Sequence, residues 1–249
     1  MSDANIIYLS EVDSTNRYAV NHFNELADGT LVAAEFQTAG RGRFERRWIS
    51  PPDQNAYVSF VVKDFPYELH KASWIGSLAV LDVFARDIPD LNAWLKWPND
   101  VYCGNRKISG MLCEGVPGNN VFSGIVIGIG VNINMTAAII EKIDQPATSV
   151  LYETGRQYDV RTFVAALAEC LSRRYRQSLD DLESVYQEWK GRNFIVGRQI
   201  ELLTGLENET VIGRVLDIGR DGELIVETAD GPRHFFSGDV RIDKKSLFS

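Results

Sequence analysis

Four arginines lie within seven residues, in the segment GRGRFERRW at positions 40–48, which we call the arginine loop. Glycines let backbone N–H groups come close to a ligand. Arginine carries a planar fork of donors that suits carboxylate and phosphate oxygens. The composition of this loop therefore favours an anion-binding site, and a solvated basic loop or a nucleic-acid contact are the alternatives.

A second polar cluster is the segment KWPND at positions 96–100, followed seven residues later by Lys107. A strand predicted at Ala93–Lys96 stops before Pro98, which places Asn99 and Asp100 at a strand end. A lysine such as Lys107 can stabilise negative charge that develops during a reaction without exchanging a proton. Taken alone, an ordinary turn and a surface lysine explain these residues better.

The third candidate is GIGVNIN at positions 128–134, a strand pattern with glycines on alternate positions. Glycines inside a strand mark a place where a ligand, or another backbone, lies close. A single Gly-x-Gly is a weak signal. The chain has no Walker-type Gly-Lys-Ser/Thr segment, and Gly40-x-Gly42 lacks the further residues of a dinucleotide-binding fingerprint.

The elements that must position these residues alternate between helix and strand up to about Gly191. Ser14 is a candidate N-cap for a first helix, and the pattern predicts further helices and strands. The helices are 73–86, 159–177 and 180–190, and the strands are 31–36, 56–62, 93–96, 107–114 and 121–131. Closely spaced short strands then follow, at 199–203, 210–217, 224–227, 233–237 and 241–243, which indicates a small β-barrel. We therefore expect a catalytic domain at 1–191 and a barrel domain at 192–249.

Composition excludes several classes of protein. The 249 residues contain 26 Lys+Arg and 34 Asp+Glu, giving a formal net charge of −8, which argues against a general attraction to nucleic acid or anionic membranes. The three cysteines, Cys103, Cys113 and Cys170, lack the spacing of a metal site and are too few for a disulfide scaffold. No secretory signal and no stretch of about 18 apolar residues is present. We expect a soluble, cytoplasmic protein.

In this order the motifs resemble those of the biotin–protein ligases. The family pattern GRGRxGRxW, KWPND, (K/R)K(I/L)-small-G and GxGxN is similar to GRGRFERRW, KWPND, RKISG and GIGVN here. Ser14-Thr15-Asn16, residues 34–37, 147–150 and 236–240 also resemble family segments. One departure is Glu45, at the position of the third loop glycine of the family, which puts the backbone geometry of the loop tip in question.

The resemblance implies a mixed β-sheet flanked by helices, similar to class II aminoacyl-tRNA synthetases, followed by a small barrel of the Src-homology-3 type. It also implies two steps. Biotin and MgATP form biotinyl-5'-AMP and pyrophosphate, and a lysine of a biotin carboxyl carrier domain, such as that of acetyl-CoA carboxylase, then takes the biotin and releases AMP. A lipoate–protein ligase and a non-catalytic biotin sensor are the alternatives.

By the same resemblance, Lys107 and Arg43 are the expected catalytic residues, with Lys107 bridging the carboxylate of biotin and the α-phosphate. The residues expected to bind biotin are Ser14, Thr15, Asn16, Gln37, Arg41, Gly42, Arg43, Lys107 and Gly110. Those expected to bind ATP are Arg43, Arg46, Trp48, Asn99, Lys107 and Asn132. Asp100 is the candidate to organise Lys107 or Mg²⁺.

Many members of this family carry an N-terminal DNA-binding domain, whereas the catalytic pattern begins here at about Tyr8. We therefore expect a ligase without repressor activity, with no nucleic-acid or membrane partner. The sequence leaves open whether it is a monomer or a homodimer.

Overall fold

The computed structural model describes residues 5–44, 46–118, 122–204 and 209–242. Glu45, Val121, the turn expected at Gly205 and the strand end expected at Asp243 lie outside these ranges. Within them, the chain forms two sheets with helices around the first. No helix in the described ranges combines the length and the apolar character that crossing a bilayer requires.

Seven strands form the first sheet, which we call the central sheet, in the spatial order β1-β2-β3-β7-β6-β5-β4. β1 and β2 are parallel and all other neighbours are antiparallel, so the sheet is mixed. Its strands are β1 (Ile6–Val12), β2 (Leu31–Gln37), β3 (Ala56–Val62), β4 (Ala93–Lys96), β5 (Asp100–Cys103), β6 (Arg106–Pro117) and β7 (Phe122–Val131). The sequence patterns did not predict β1 or β5.

Helices cover both faces of the central sheet, because alternate strand residues are apolar on both sides. Leu31 and Phe60 face the larger core, whereas Val32 and Val61 face a smaller one under α1. The larger core lies under α2, α5 and α6, which pack on one another. The helices are α1 (Thr15–Asn21), α2 (Ala72–Asp87), α3 (Ala137–Ile140), α4 (Val150–Thr154), α5 (Val160–Asp180) and α6 (Leu182–Gly191). This confirms the expected mixed sheet with flanking helices.

The first helix begins where the sequence predicts, with Ser14 at the N-cap in an extended backbone conformation. Its hydroxyl, however, makes no capping hydrogen bond. A capping bond of the expected kind is instead found at α5, where the Asp159 carboxylate accepts from the Thr162 backbone N–H.

Five antiparallel strands form the second sheet, which we call the C-terminal sheet, in the order β11-β10-β9-β8-β12. They are β8 (Gln199–Leu203), β9 (Thr210–Ile218), β10 (Leu224–Thr228), β11 (Gly231–Phe235) and β12 (Asp239–Ile242). Side chains such as Leu202 and Val215 join the same apolar core as the helices. The indole N–H of Trp97 donates a buried hydrogen bond to the Gly222 carbonyl (2.8 Å), which fixes this sheet against the end of β4.

Candidate active site

One cleft collects the predicted residues. Its wall combines the N-terminus of α1, the end of β2, the arginine loop, the turn after β4, parts of β6 and β7, and residues Gly238–Val240 of the C-terminal sheet region. All of the predicted site residues line it except Asn132. The four sequence motifs are therefore adjacent in space although they are spread over positions 40–132 of the chain.

A neutral hydrogen-bond network forms one end of the cleft. The Gln37 side-chain oxygen accepts from the backbone N–H of Thr15 (2.9 Å) and lies 3.2 Å from its hydroxyl. The Ser59 hydroxyl lies 2.9 Å from the hydroxyl of Thr15 and 2.6 Å from the side-chain oxygen of Asn16. All four residues are buried. A buried group of amides and hydroxyls without net charge suits a neutral polar ligand that both donates and accepts hydrogen bonds.

Two residues of this end were missed in the sequence. Ser59 is a lone polar residue in the otherwise apolar strand β3, and that isolation is a signal that could have been used. Glu114 accepts from the side-chain amide of Asn16 (2.6 Å) and from Arg41 (2.9 Å to each carboxylate oxygen). Glu114 thus ties the arginine loop to α1, a link that sequence spacing does not reveal.

The opposite end of the cleft is cationic. The ammonium of Lys107 lies 2.6 Å from the Asp100 carboxylate and 5.4 Å from the centre of the Trp48 ring. Arg43 donates to the side-chain oxygen of Asn99 at 3.0 Å. Burial lowers the pKa of the Arg43 guanidinium, although Asp100 and Asp239 oppose that effect, and arginine remains protonated at neutral pH. These groups could neutralise an anionic reacting centre.

The arginine loop folds back on itself and contacts the C-terminal sheet. The Gly42 N–H donates to the Arg46 carbonyl (2.7 Å), and the Trp48 N–H donates to the Gly40 carbonyl (2.9 Å). Arg46 forms an ion pair with Asp239 at 2.6 Å. Burial raises the pKa of Asp239, but Arg46, with support from Lys96 and Arg241, outweighs this and holds it below its usual value. The loop tip residue Glu45 lies outside the described residues.

The glycines of β7 make room for side chains of the site. A Cβ on Gly128 would lie 2.1 Å from the side-chain oxygen of Asn16, and a Cβ on Gly130 would lie 2.5 Å from the Trp48 indole. The sequence left open a ligand or another backbone as the close neighbour of this strand, whereas in this structure the neighbouring groups are the side chains of Asn16 and Trp48.

Asn132 occupies a different position. It is buried, its side-chain amide donates to the Thr148 carbonyl (2.9 Å), and its backbone N–H donates to the Ile108 carbonyl (2.9 Å). Thr148 in turn donates its backbone N–H to the carbonyl of Lys107 (2.9 Å). Asn132 therefore supports the segment beside Lys107, and its expected contact with ATP stays a prediction.

Two family models match this chain. The model described as the biotin/lipoate A/B protein ligase family matches residues 8–132, and the model described as the biotin protein ligase C-terminal domain matches residues 195–242. Among curated relatives, the bifunctional ligase/repressor BirA of Escherichia coli is 30% identical over 251 residues, covering 97% of this chain and 75% of the relative. The biotin–[acetyl-CoA-carboxylase] ligase of Paracoccus denitrificans is 31% identical over 204 residues, covering 79% and 84%.

Solved structures of biotin protein ligases also align with nearly the whole of this chain. The biotin protein ligase of Aquifex aeolicus in complex with biotin and ATP aligns with a TM-score of 0.81 at 26% identity, covering 96% of this chain and 98% of that chain. The biotin protein ligase of Leishmania major in complex with biotinyl-5-AMP aligns with a TM-score of 0.58 at 25% identity, covering 94% and 99%.

Proposed function

The chain belongs to the biotin/lipoate A/B protein ligase family, and from this premise we propose that it is an ATP-dependent biotin–protein ligase. In the first step, a carboxylate oxygen of biotin attacks the α-phosphorus of ATP, forming biotinyl-5'-AMP and releasing pyrophosphate. In the second step, a lysine amine of a biotin carboxyl carrier domain attacks the acyl carbon, forming an amide and releasing AMP.

The observation that carries this proposal is the division of one cleft into a neutral end and a cationic end. The neutral network of Thr15, Asn16 and Gln37 suits the ureido ring of biotin, which donates through N–H and accepts through C=O. The cationic end around Lys107 and Arg43 suits the reaction between a carboxylate and a phosphate, since two anions must be brought together there. A cleft built this way would place the carboxylate of biotin beside the α-phosphate of ATP.

The residues predicted at the cationic end then have the following roles. Lys107 would contact both the carboxylate and the α-phosphate, with Asp100 holding its ammonium in position. Arg43 would bind the phosphate and later retain the adenylate, and Arg46 would leave Asp239 to bind the β- and γ-phosphates. Trp48 would pack on the adenosine, and Asn99 orients Arg43. Because Lys107 and Arg43 are held in position before the substrates arrive, little reorganisation of these two side chains is needed in the reaction.

Mg²⁺ would enter with the nucleotide. The described residues hold no group of three His, Cys, Asp or Glu side chains that could bind a metal by themselves. Mg²⁺ usually takes one or two carboxylates together with substrate phosphates, and Asp100 in the wall of the cleft fits that requirement. When bound, the ion neutralises charge on the phosphates. This chain's own contribution would be one carboxylate, already paired with Lys107.

Lipoate is a less suitable substrate for this cleft. The dithiolane ring of lipoate neither donates nor accepts strong hydrogen bonds, and it would leave the buried polar groups of Thr15 and Gln37 without new partners. Biotin-dependent and lipoate-dependent exchange of pyrophosphate into ATP, measured side by side, separate the two. We expect exchange with biotin, and equal or faster exchange with lipoate would reassign the substrate.

The test of the proposed activity is transfer of biotin to a purified carrier domain by the wild-type protein and by Lys107→Ala. We expect a loss of about a hundredfold or more in the variant, because it removes the cation at the reacting centre. Arg106→Ala is the matched control, since Arg106 is the neighbouring cation but pairs with Glu153 outside the cleft.

Two outcomes would count against the proposal. Wild-type protein that transfers no biotin would favour the non-catalytic sensor, and Lys107→Ala that transfers at the wild-type rate would remove Lys107 from the mechanism.

A further inference from the structure

Lys96 is a buried cation in the wall of the cleft that the roles above leave unused. It is the last residue of β4, with 8% of its surface exposed, and it lines the same cleft as Lys107. Its backbone is fixed on two sides. It pairs with Asp100 across the β4–β5 register, and the next residue, Trp97, is buried and hydrogen-bonded to Gly222. The backbone of Lys96 is therefore held at a defined place in the wall of the cleft.

Within the described residues, the Lys96 ammonium has no carboxylate at ion-pair distance. It donates one hydrogen bond, to the neutral hydroxyl of Tyr102 (3.0 Å), and lies 4.7 Å from the centre of that ring. The two nearest carboxylates are committed elsewhere, Asp100 to Lys107 and Asp239 to Arg46. An ammonium has three donors, and burying one without a counter-ion is costly. Burial accordingly lowers the pKa of Lys96, although Asp100 and Asp239 oppose this.

Lys71 shows what a structural buried lysine looks like in the same protein. It is also 8% exposed, but it pairs with Glu68 at 2.8 Å and with Asp221 at 3.3 Å, and it does not line the cleft. Lys71 therefore has its counter-ions within the fold. Lys96 has the same burial without them, which indicates that its counter-ion comes from a ligand.

The charged groups around Lys96 indicate which part of a ligand would supply its counter-ion. Among the described residues that line the cleft, the carboxylates are Asp100 and Asp239, and the cations Lys96, Lys107 and the arginines of the loop outnumber them, so this end has a surplus of positive charge. The groups that act electrostatically on Lys96 are Asp100, Asp239, Lys107 and Arg46, all at the cationic end. A ligand that extends from Lys107 to Lys96 would suit these charges if it carried several anionic groups in a row, as a nucleoside triphosphate does.

We propose that Lys96 is a further catalytic residue, which binds the β-phosphoryl group of ATP and stabilises pyrophosphate as it leaves. The inference rests on the proposed function. As the bond from the α-phosphorus to the bridging oxygen breaks, its electron pair goes to that oxygen, and the added negative charge develops on the pyrophosphate. The ammonium of Lys96 stabilises this charge by direct contact, without giving up a proton.

The decisive variant is Lys96→Met, which keeps most of the side-chain length and removes the charge. We expect biotin-dependent pyrophosphate exchange to fall by about a hundredfold, and the Kd for pyrophosphate in the presence of Mg²⁺ to rise by about tenfold or more. Binding of biotin alone, and transfer of biotin from supplied biotinyl-5'-AMP to a carrier domain, should stay within about twofold of wild type, because neither involves pyrophosphate. Lys96→Arg should recover part of the exchange rate.

Thermal unfolding separates this role from a structural one. Since Lys96→Met removes an unpaired buried charge, we expect its Tm to equal or exceed that of wild type. Lys71→Met, the matched control, should lower Tm and leave the Kd for pyrophosphate unchanged, because it breaks two ion pairs outside the cleft.

The proposal is overturned if Lys96→Met binds pyrophosphate as wild type does, or if transfer from supplied adenylate falls as much as exchange. A wild-type protein that shows no biotin-dependent exchange would refute the proposed function instead. Direct binding of pyrophosphate to wild type and Lys96→Met would still test Lys96 in that case.

Discussion

At the scale of single residues, the electrostatics of the site depend on which charged side chains form ion pairs. The Lys107 ammonium is held at 2.6 Å by Asp100, so this pair carries no net charge before substrates bind. Among the described residues, Arg43 and Lys96 are buried or half-buried cations of the cleft without a carboxylate at ion-pair distance, and we expect them to contribute to the attraction for an anionic substrate. The ion pair with Asp100, in contrast, fixes the orientation of the Lys107 side chain.

The pH dependence of cysteine alkylation tests whether the three thiols are buried. Burial raises the pKa of Cys103 to about 11 and that of Cys113 to about 12, and it also raises the pKa of Cys170. Only the thiolate reacts with iodoacetamide, so at pH 8 we expect Cys103 and Cys113 of the native protein to be alkylated at least about a hundredfold more slowly than a free cysteine, and Cys170 also to be slowed. The rates for Cys103 and Cys113 should increase by about tenfold per pH unit between pH 8 and pH 10, because the thiolate fraction rises in this way below the pKa.

Mass spectrometry of the alkylated protein gives the rate for each cysteine. The same measurement in guanidinium chloride is the control, and all three thiols should then react as free cysteines do. A native thiol that is alkylated at the free rate at pH 8 would contradict the burial seen here.

At the scale of elements, strand β7 lies directly beneath two groups of the site. Asn16 from α1 and Trp48 from the arginine loop both pack on glycines of this one strand. Because Gly128 and Gly130 have no side chains, α1 and the arginine loop can pack closely against the central sheet.

We predict that Gly128→Ala weakens biotin binding. The added Cβ would lie 2.1 Å from the Asn16 side-chain oxygen, so Asn16 must move and its bonds to Ser59 and Glu114 must lengthen. Overpacking of this kind costs about 1–3 kcal/mol, which corresponds to a rise of about tenfold to a hundredfold in the Kd for biotin if the strain is relieved by displacing Asn16. Isothermal titration calorimetry with biotin measures the change.

The control for this substitution is Gly191→Ala, at the end of α6. A Cβ there meets no heavy atom within 4 Å, so Tm and the Kd for biotin should be unchanged or Tm slightly raised. Equal biotin affinity in Gly128→Ala and wild type would mean that Asn16 does not contribute to binding.

The elements that the sequence predicts well are those with a strong periodic pattern, such as α2 and α5, whose apolar residues are buried as expected. β5 was missed because Asn99 and Asp100 are typical turn residues, and here Asp100 instead begins a strand whose pairing comes from β4 and β6. Within the site, the local motifs GRGRFERRW and RKISG identified Arg43 and Lys107 as candidate residues.

Contacts between residues that are far apart in the sequence could not be predicted from local motifs. Glu114 and Asp239 act through partners that lie 73 and 193 positions away, and no local pattern encodes such pairs. Lys96 lay inside a recognised motif, but only its burial without a carboxylate partner distinguishes it from an ordinary strand-end lysine.

At the scale of the whole molecule, the two sheets share one apolar core. Buried side chains of the C-terminal sheet, such as Leu202 and Val226, belong to the same cluster as Trp74 and Trp189 of the helices. Hydrogen bonds cross the junction as well, from Trp97 to Gly222 and from Tyr186 to Ile218. This continuity predicts that both sheets unfold together.

We expect calorimetry to show a single unfolding transition and Trp97→Phe to lower its midpoint. The substitution leaves the buried Gly222 carbonyl without its donor, which costs about 1–3 kcal/mol. For a chain of this length, each kcal/mol corresponds to about 2–4 °C in Tm. Trp94→Phe is the matched control, because Trp94 is only half-buried and should shift Tm less.

Two separate transitions would show that the shared core does not couple the sheets. A shift in Trp94→Phe as large as that in Trp97→Phe would show that the hydrogen bond to Gly222 contributes little.

The position of Asp239 in the cleft wall also has a consequence for synthesis of the chain. Translation produces the central sheet and its helices first, and Gly238, Asp239 and Val240 follow only after α6 and most of the C-terminal sheet. A nascent chain that has emerged as far as α6 already has Lys107 and the arginine loop but lacks this part of the wall. The complete cleft therefore forms only after the C-terminal sheet has been synthesised and has packed against the central sheet, so we expect no formation of the reactive anhydride by a chain that extends only as far as α6.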